Sequence, residues 1–313
     1  MSPSDPTFSK YTTGQAQKYA KERTSYADEL YRLVIERHVR TGGALNVLAD
    51  IGCGPGNATR DLAHSFDTAI GLDPGTEMIN TARRLGGSTS SGKPIQYIVC
   101  GAEHISRVLE ESCPGVKGHG VDLLTAAMAA HWFDMPKFWV EAARVLRPGG
   151  TVALWTCASL YCHPSTPNAA EVQKAFFRLE RETLAPYELP PNRLSRDLYE
   201  NLGLPWHTGD GAPVSHCFPQ GEFERHEWDR DGVLSNGRSF FMGSERTTVD
   251  ELASGLETAS MVTRWREAHP DSTANDCVRQ FALDVKEALG VTEGENPSLT
   301  VGNATVLLIF KRR

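Results

Sequence analysis

No two cysteines in this 313-residue chain are spaced Cys-x-x-Cys, and none is grouped with histidine at zinc-ligand spacing. The seven cysteines, at 53, 100, 113, 157, 162, 217 and 277, therefore read as reduced, mostly buried thiols, and no metal site is expected. No apolar run approaches bilayer length, and Met1-Ser2-Pro3-Ser4-Asp5-Pro6 lacks a basic start with an apolar core behind it. A cytoplasmic protein that does not engage membranes is the expectation. Excess positive charge is missing too: the net charge is −7 and the isoelectric point near 5.8, which argues against a general grip on nucleic acid. A small molecule is the expected partner. Several catalytic signatures are also missing. There is no Gly-x-Ser-x-Gly elbow. His226-Glu227 meets Arg230 where a zinc-protease helix needs its second histidine. Gly87 to Lys93 has phosphate-loop spacing, but Pro94 replaces the required Ser or Thr, and the segment precedes a strand instead of following one.

What is present is an ordinary globular composition, 40% hydrophobic and 23% charged, arranged with clear periodicity. Ala16, Tyr19, Ala20, Leu30, Leu33 and Val34 recur at helical spacing through residues 15–39. Short apolar runs at 46–50, 68–73, 95–100, 121–126 and 151–155 then alternate with helical stretches after Gly56, after Pro74 and over 136–146. Arg147-Pro148-Gly149-Gly150 stops the last of these. Strand–helix alternation implies an α/β, doubly wound, mostly parallel sheet, here of seven strands, with helical lid insertions in the C-terminal half. That half reads as a helix near 194–202, a strand near 223–228, a helical stretch over 247–289 and a terminal strand at 305–310. The expected layout is one domain over 1–313. It comprises a helical lead-in (1–40), a cofactor-binding core (41–156), a substrate lid with remaining core elements (157–303) and the terminal strand (304–313).

The chemistry concentrates at Asp50-Ile51-Gly52-Cys53-Gly54-Pro55-Gly56, an acidic residue closing an apolar strand followed by Gly-x-Gly-x-Gly. Glycines there allow backbone to approach a ligand without side-chain obstruction. The dinucleotide pattern Gly-x-Gly-x-x-Gly would need its third glycine at Asn57; Gly56 comes one residue early, which favours S-adenosylmethionine over NAD. Asp73 closes the second strand, 21 residues past Gly52, where such folds place a carboxylate for ribose hydroxyls. Ala102 and Glu103 after the third strand, with Glu103 facing an adenine amino group, and Ala126 at the end of the fourth complete the strand-end candidates.

These residues resemble the class I adenosylmethionine-dependent methyltransferases, and within them the trans-aconitate methyltransferases and their fungal relatives. The likeness rests on Asp50 to Gly56, Leu72-Asp73, Ala130-His131-Trp132-Phe133-Asp134 and Arg144-Val145-Leu146-Arg147-Pro148-Gly149-Gly150. It implies Tyr19 and Arg23 near the methionine end of the cofactor and Tyr26 and Arg193 near the acceptor. Trp206 is a further acceptor candidate, and His131 and Trp132 are the candidates for the reaction centre, with His131 the candidate base for a hydroxyl acceptor. Two positions depart from the family. Glu257, in Leu256-Glu257-Thr258-Ala259-Ser260, stands where relatives carry an arginine suited to a carboxylate. Met128 stands where relatives carry a polar residue. Both point to a larger, less charged acceptor, such as a fungal secondary metabolite. The reaction expected is O-methylation of a carboxylic acid or hydroxyl. The alternative is a methyltransferase-like protein that binds the cofactor without transferring methyl, as a pericyclase or a regulatory module.

Overall fold

Leu30, Tyr31, Val34 and His38 recur three and four residues apart along α1 (Asp28–Arg40) and are the residues it buries. β1 (Val47–Ile51) is buried at every position, as a parallel strand covered on both faces requires. Alternation continues through α2 (Asn57–Ala63), β2 (Thr68–Asp73), α3 (Thr76–Leu85), β3 (Gln96–Val99), α4 (Ile105–Ser112), β4 (Val121–Ala127), α5 (Met135–Val145) and β5 (Leu146–Cys162). The computed structural model describes residues 14, 26–113, 116, 120–207, 214–272, 275–291 and 294–313. Tyr19 and Arg23, and most of the expected lead-in, lie outside the described residues.

Two compact units divide the chain: Met1–Thr156, Tyr199–His226 and Val306–Arg313 form the first, and Cys157–Leu198 and Glu227–Thr305 the second. The sheet has the order β3-β2-β1-β4-β5-β8-β6, with β6 at Glu224–Trp228 and β8 at Ser298–Lys311. β1 pairs in parallel with β2 and β4, β2 with β3, and β4 with β5. Gly149 N–H donates to Arg312 O and Arg312 N–H to Gly150 O, so β8 ends where β5 begins. Strand order reverses between β1 and β4, which opens a crevice at the carboxyl ends of these strands.

The second unit has its own core of Val172, Phe176, Val249, Val262, Phe281 and Val285, carried by α6 (Ala169–Arg178), α8 (Val249–Leu256), α9 (Ser260–Ala268) and α10 (Cys277–Leu289). α7 (Pro190–Arg196) also belongs to it, and β7 (Glu245–Thr248) pairs antiparallel with β8 off the main strand path. β7 is the strand added to the seven expected, giving eight.

Several boundaries differ from the sequence reading. The helix expected near 194–202 lies at Pro190–Arg196, started by Pro190 and Pro191 in its first turn. Leu198 and Tyr199 follow with left-handed backbone, φ 52° and 61°, which no helix continues. Pro148-Gly149-Gly150 ends α5 but does not delay the strand: β5 already runs from Leu146, with its register against β4 shifted between Val121 and Leu123. α4 and α6 have no counterpart in the sequence reading. No described helix is long and apolar enough to cross a membrane, and no described cluster of three His, Cys, Asp or Glu side chains could hold a metal.

Candidate active site

Gly52, Gly54 and Gly56 all take left-handed backbone, at φ 67°, 53° and 85°. This is the conformation that glycine adopts without steric cost. Each glycine has its own reason. A Cβ on Gly52 would lie 2.5 Å from Ala129 Cβ, and one on Gly56 would lie 2.7 Å from Tyr97 Oη. A Cβ on Gly54 would meet nothing within 4 Å. Two glycines therefore let the protein pack on itself, and the third leaves open space at the carboxyl end of β1.

The loop is braced from beneath by Asp50, expected from sequence among the cofactor contacts. Asp50 is 0% exposed, and its oxygens accept from Thr59 Oγ1 at 2.6 Å and Thr125 Oγ1 at 2.8 Å, tying β1 to α2 and β4. Its carboxylate shapes the loop from the protein side. Asp73 occupies the end of β2 and accepts from Gly54 N–H at 2.9 Å and Gly75 N–H at 2.7 Å. It is only half-buried, and each oxygen keeps a lone pair beyond these bonds. Burial pushes both carboxyls up to about 6 against the pull of their hydrogen bonds, and the charge of Asp73 adds to the rise at Asp50.

Cys53 is buried and its backbone N–H donates to Leu72 O, while burial pushes its thiol well up, which keeps it protonated. Ala102 and Ala126 are also buried, small residues that keep the strand ends low. Glu103 Oε1 accepts from Asp134 N–H at 3.0 Å, which links the loop after β3 to the loop after β4. Asp134 in turn caps α5 by accepting from Lys137 N–H.

Gly52 packs against Ala129 and Phe133, so the glycine loop and the His-Trp-Phe-Asp loop are brought together. Between them Met128 has φ 54°, held by its N–H bond to Trp155 O at 2.9 Å and by the Thr156 hydroxyl on its sulfur at 3.3 Å. Backbone strain of this kind gathers at functional sites. His131 is 7% exposed; its Nδ1 lies 3.0 Å from Tyr199 Oη and its ring 5.2 Å from that of Trp132. Burial pushes the imidazole down to about 3, so it is neutral across the physiological range. Tyr26 stands edge-on to Trp155, ring centres 5.5 Å apart, and to Tyr31, whose hydroxyl donates to Asp61 on α2.

The remaining acceptor candidates have partners of their own. Trp206 packs on Phe223 and Phe310, and Phe310 sits near the end of β8, beside the start of β5 and away from the glycine loop. Arg193 is exposed on α7 and paired with Asp197 at 2.8 Å; Glu257 faces Arg266 at 3.4 Å, and that arginine is also bonded to Asp276. Arg193 and Glu257 belong to the second unit, whereas His131, Trp132, Tyr26 and the loop belong to the first. The sequence reading missed Tyr199, Thr59, Thr125 and Tyr97, which carry no motif and become visible only when strands are paired.

Comparison with known proteins decides what this crevice belongs to. Residues 49–154 match the family model described as a methyltransferase domain. They form a methyltransferase domain. The domain runs from inside β1 to inside β5 and so contains both loops described above. Over 141 residues the chain is 33% identical to a methyltransferase of Dictyostelium discoideum, an alignment covering 45% of this chain and 46% of that one. The chain spans about half the length of the first curated relatives it matches, 46% and 51%. Methyltransferase cfoB of Aspergillus candidus is 27% identical over 98% of both chains. A solved structure of a type II methyltransferase from Anaeromyxobacter dehalogenans matches with a TM-score of 0.62 at 26% identity, covering 93% of this chain and 97% of that one. The likeness to trans-aconitate 2-methyltransferases read from the motifs is also found, at 34% identity over 113 residues with that of Streptomyces coelicolor. The methyltransferase domain thus has the class I, Rossmann-like fold expected from its sequence.

Proposed function

We propose that this chain is an adenosylmethionine-dependent methyltransferase that methylates an oxygen, of a carboxylic acid or a hydroxyl, on a small-molecule acceptor. The observation that carries the reading is the glycine loop at the sheet's reversal point, with open space in front of Gly54 and the Asp73 carboxylate beside it. Bound adenosylmethionine supplies an activated methyl group on a positively charged sulfur. The residues present fit such a group. Gly52 to Gly56 offer backbone without side-chain obstruction, Asp73 offers acceptor lone pairs for ribose hydroxyls, and the Asp50 and Asp73 carboxyls favour a cation. The task left to His131, Trp132 and Tyr26 is to hold the acceptor in line and exclude water.

The test is isothermal titration of the purified protein with adenosylmethionine, followed by assay for S-adenosylhomocysteine with panels of carboxylic acids, phenols and amines. Binding with turnover on an oxygen acceptor is the expected result. Cofactor binding with no product from any acceptor would favour the non-methylating reading, and absence of binding would sink both.

A further inference from the structure

We infer that Tyr199 fixes His131 as the Nε2–H tautomer, so that His131 presents a hydrogen-bond donor, not a base, to an acceptor that is already a carboxylate. This rests on the methyl-transfer reading above. The contact between His131 Nδ1 and Tyr199 Oη, 3.0 Å long, has two possible polarities. A phenol O–H is a good donor and a neutral imidazole nitrogen a good acceptor, whereas a phenol oxygen accepts poorly. The favoured polarity has Tyr199 O–H donating to Nδ1, which leaves the ring proton on Nε2. That Nε2 has no hydrogen-bond partner among the described residues.

Tyr199 is held for this task. It is 1% exposed, it follows Leu198 in a pair of left-handed residues, and its ring centre lies 5.9 Å from that of His131. Non-glycine residues persist in that conformation only where their surroundings impose it. Burial of His131 also makes uptake of a proton unfavourable, which disfavours the base role. A carboxylate needs no base. Its oxygen lone pair bonds the methyl carbon as the carbon–sulfur bond breaks with its electrons staying on sulfur, so one negative and one positive charge cancel and no proton is released. A hydroxyl acceptor would have to lose a proton that His131, in this tautomer, has no lone pair to take.

Three substitutions and one spectrum test this. Ring-nitrogen NMR of 15N-histidine-labelled protein, with His131 assigned by comparison with His131→Gln, is expected to show a neutral Nε2–H imidazole that becomes a tautomer mixture in Tyr199→Phe. His131→Gln, whose amide N–H occupies the place of Nε2–H, is expected to keep turnover on carboxylic acids within about tenfold. His131→Ala is expected to lose on the order of a hundredfold, the usual cost of removing one such donor. A wild-type Nδ1–H tautomer would overturn the proposal whatever the enzyme does. So would activity confined to hydroxyl acceptors and abolished in His131→Gln. Failure of the methyl-transfer reading itself would appear separately, as no S-adenosylhomocysteine from wild-type protein with any acceptor, and the NMR result would still decide the tautomer.

Discussion

Asp73 is the residue at which stability and ligand binding pull in opposite directions. Its carboxyl is raised from 3.8 to about 6, so between those values the folded chain holds a proton that the unfolded chain has lost. Its contribution to stability therefore falls as pH rises from 3.8 to 6, and the full cost is present at neutral pH. A ligand with hydroxyls and positive charge offsets that cost, and the ionised form is the one able to accept from both ribose hydroxyls. Adenosylmethionine affinity is expected to fall as pH drops through 6, by about tenfold or more once Asp73 is protonated, as suits loss of hydrogen bonds to a charged group. Calorimetric titration from pH 5 to 8 measures it. In Asp73→Asn the affinity should be low throughout and the fall near pH 6 largely gone; a wild-type-like profile in that variant would remove Asp73 from the binding site.

The glycine loop separates two effects that one motif combines. Gly56→Ala places a methyl 2.7 to 2.9 Å from the Tyr97 ring at φ 85°, so it should cost about 2–3 kcal/mol of stability through strain and overpacking. Gly54→Ala pays only the left-handed strain, about 1–2 kcal/mol, but its methyl enters the open space where ligand is proposed to lie. Chemical denaturation should rank Gly56→Ala as the less stable, while cofactor titration should show binding abolished in Gly54→Ala even where it remains folded. In the second unit, Thr248 caps α8 by accepting from Glu251 N–H while Glu251 accepts from Thr248 N–H. Thr248→Ala should therefore cost about 1 kcal/mol in unfolding experiments. Sequence patterns located the loop and the first four core strands to within a few residues, and only the middle of β5, because buried parallel strands are continuous apolar runs and glycine spacing is local. They missed α6, whose apolar face is matched to α10 far along the chain. The partnership of Thr125 with the Asp50 carboxylate emerges only from the pairing of β1 with β4. Tyr199 was invisible for the same reason, 68 residues from His131.

At the scale of the whole chain, a net charge of −7 does not describe the surroundings of its buried cations. At the foot of the sheet, away from the glycine loop, Lys311 is 3% exposed and its Nζ donates to Thr151 Oγ1 at 3.1 Å; the same hydroxyl lies 2.8 Å from His38 Nδ1. With Lys311 donating into it, the Thr151 hydroxyl is left to donate to Nδ1, and His38 Nε2–H donates to Ala44 O at 2.8 Å. One chain of hydrogen bonds thus ties α1, β5 and β8. Burial first, then Arg313, Arg37 and Arg147, outweigh Glu222 and lower Lys311 from 10.5 to about 8. Burial likewise lowers His38 below 6.5. In both cases the unfolded chain binds the proton more tightly, so stability rises with pH wherever the two states differ. His38 costs stability as pH falls below 6.5. The cost of charged Lys311 is complete below 8 and is relieved as pH climbs from 8 towards 10.5. Thermal unfolding should therefore show a midpoint that rises between pH 8 and 10, where most proteins of this acidity are flat or falling. Lys311→Met, which keeps the apolar stem, should raise stability at pH 7 by about 1–3 kcal/mol, as replacement of buried charge by apolar groups often does, and should flatten the alkaline rise. An unchanged alkaline rise in Lys311→Met would assign it to another group.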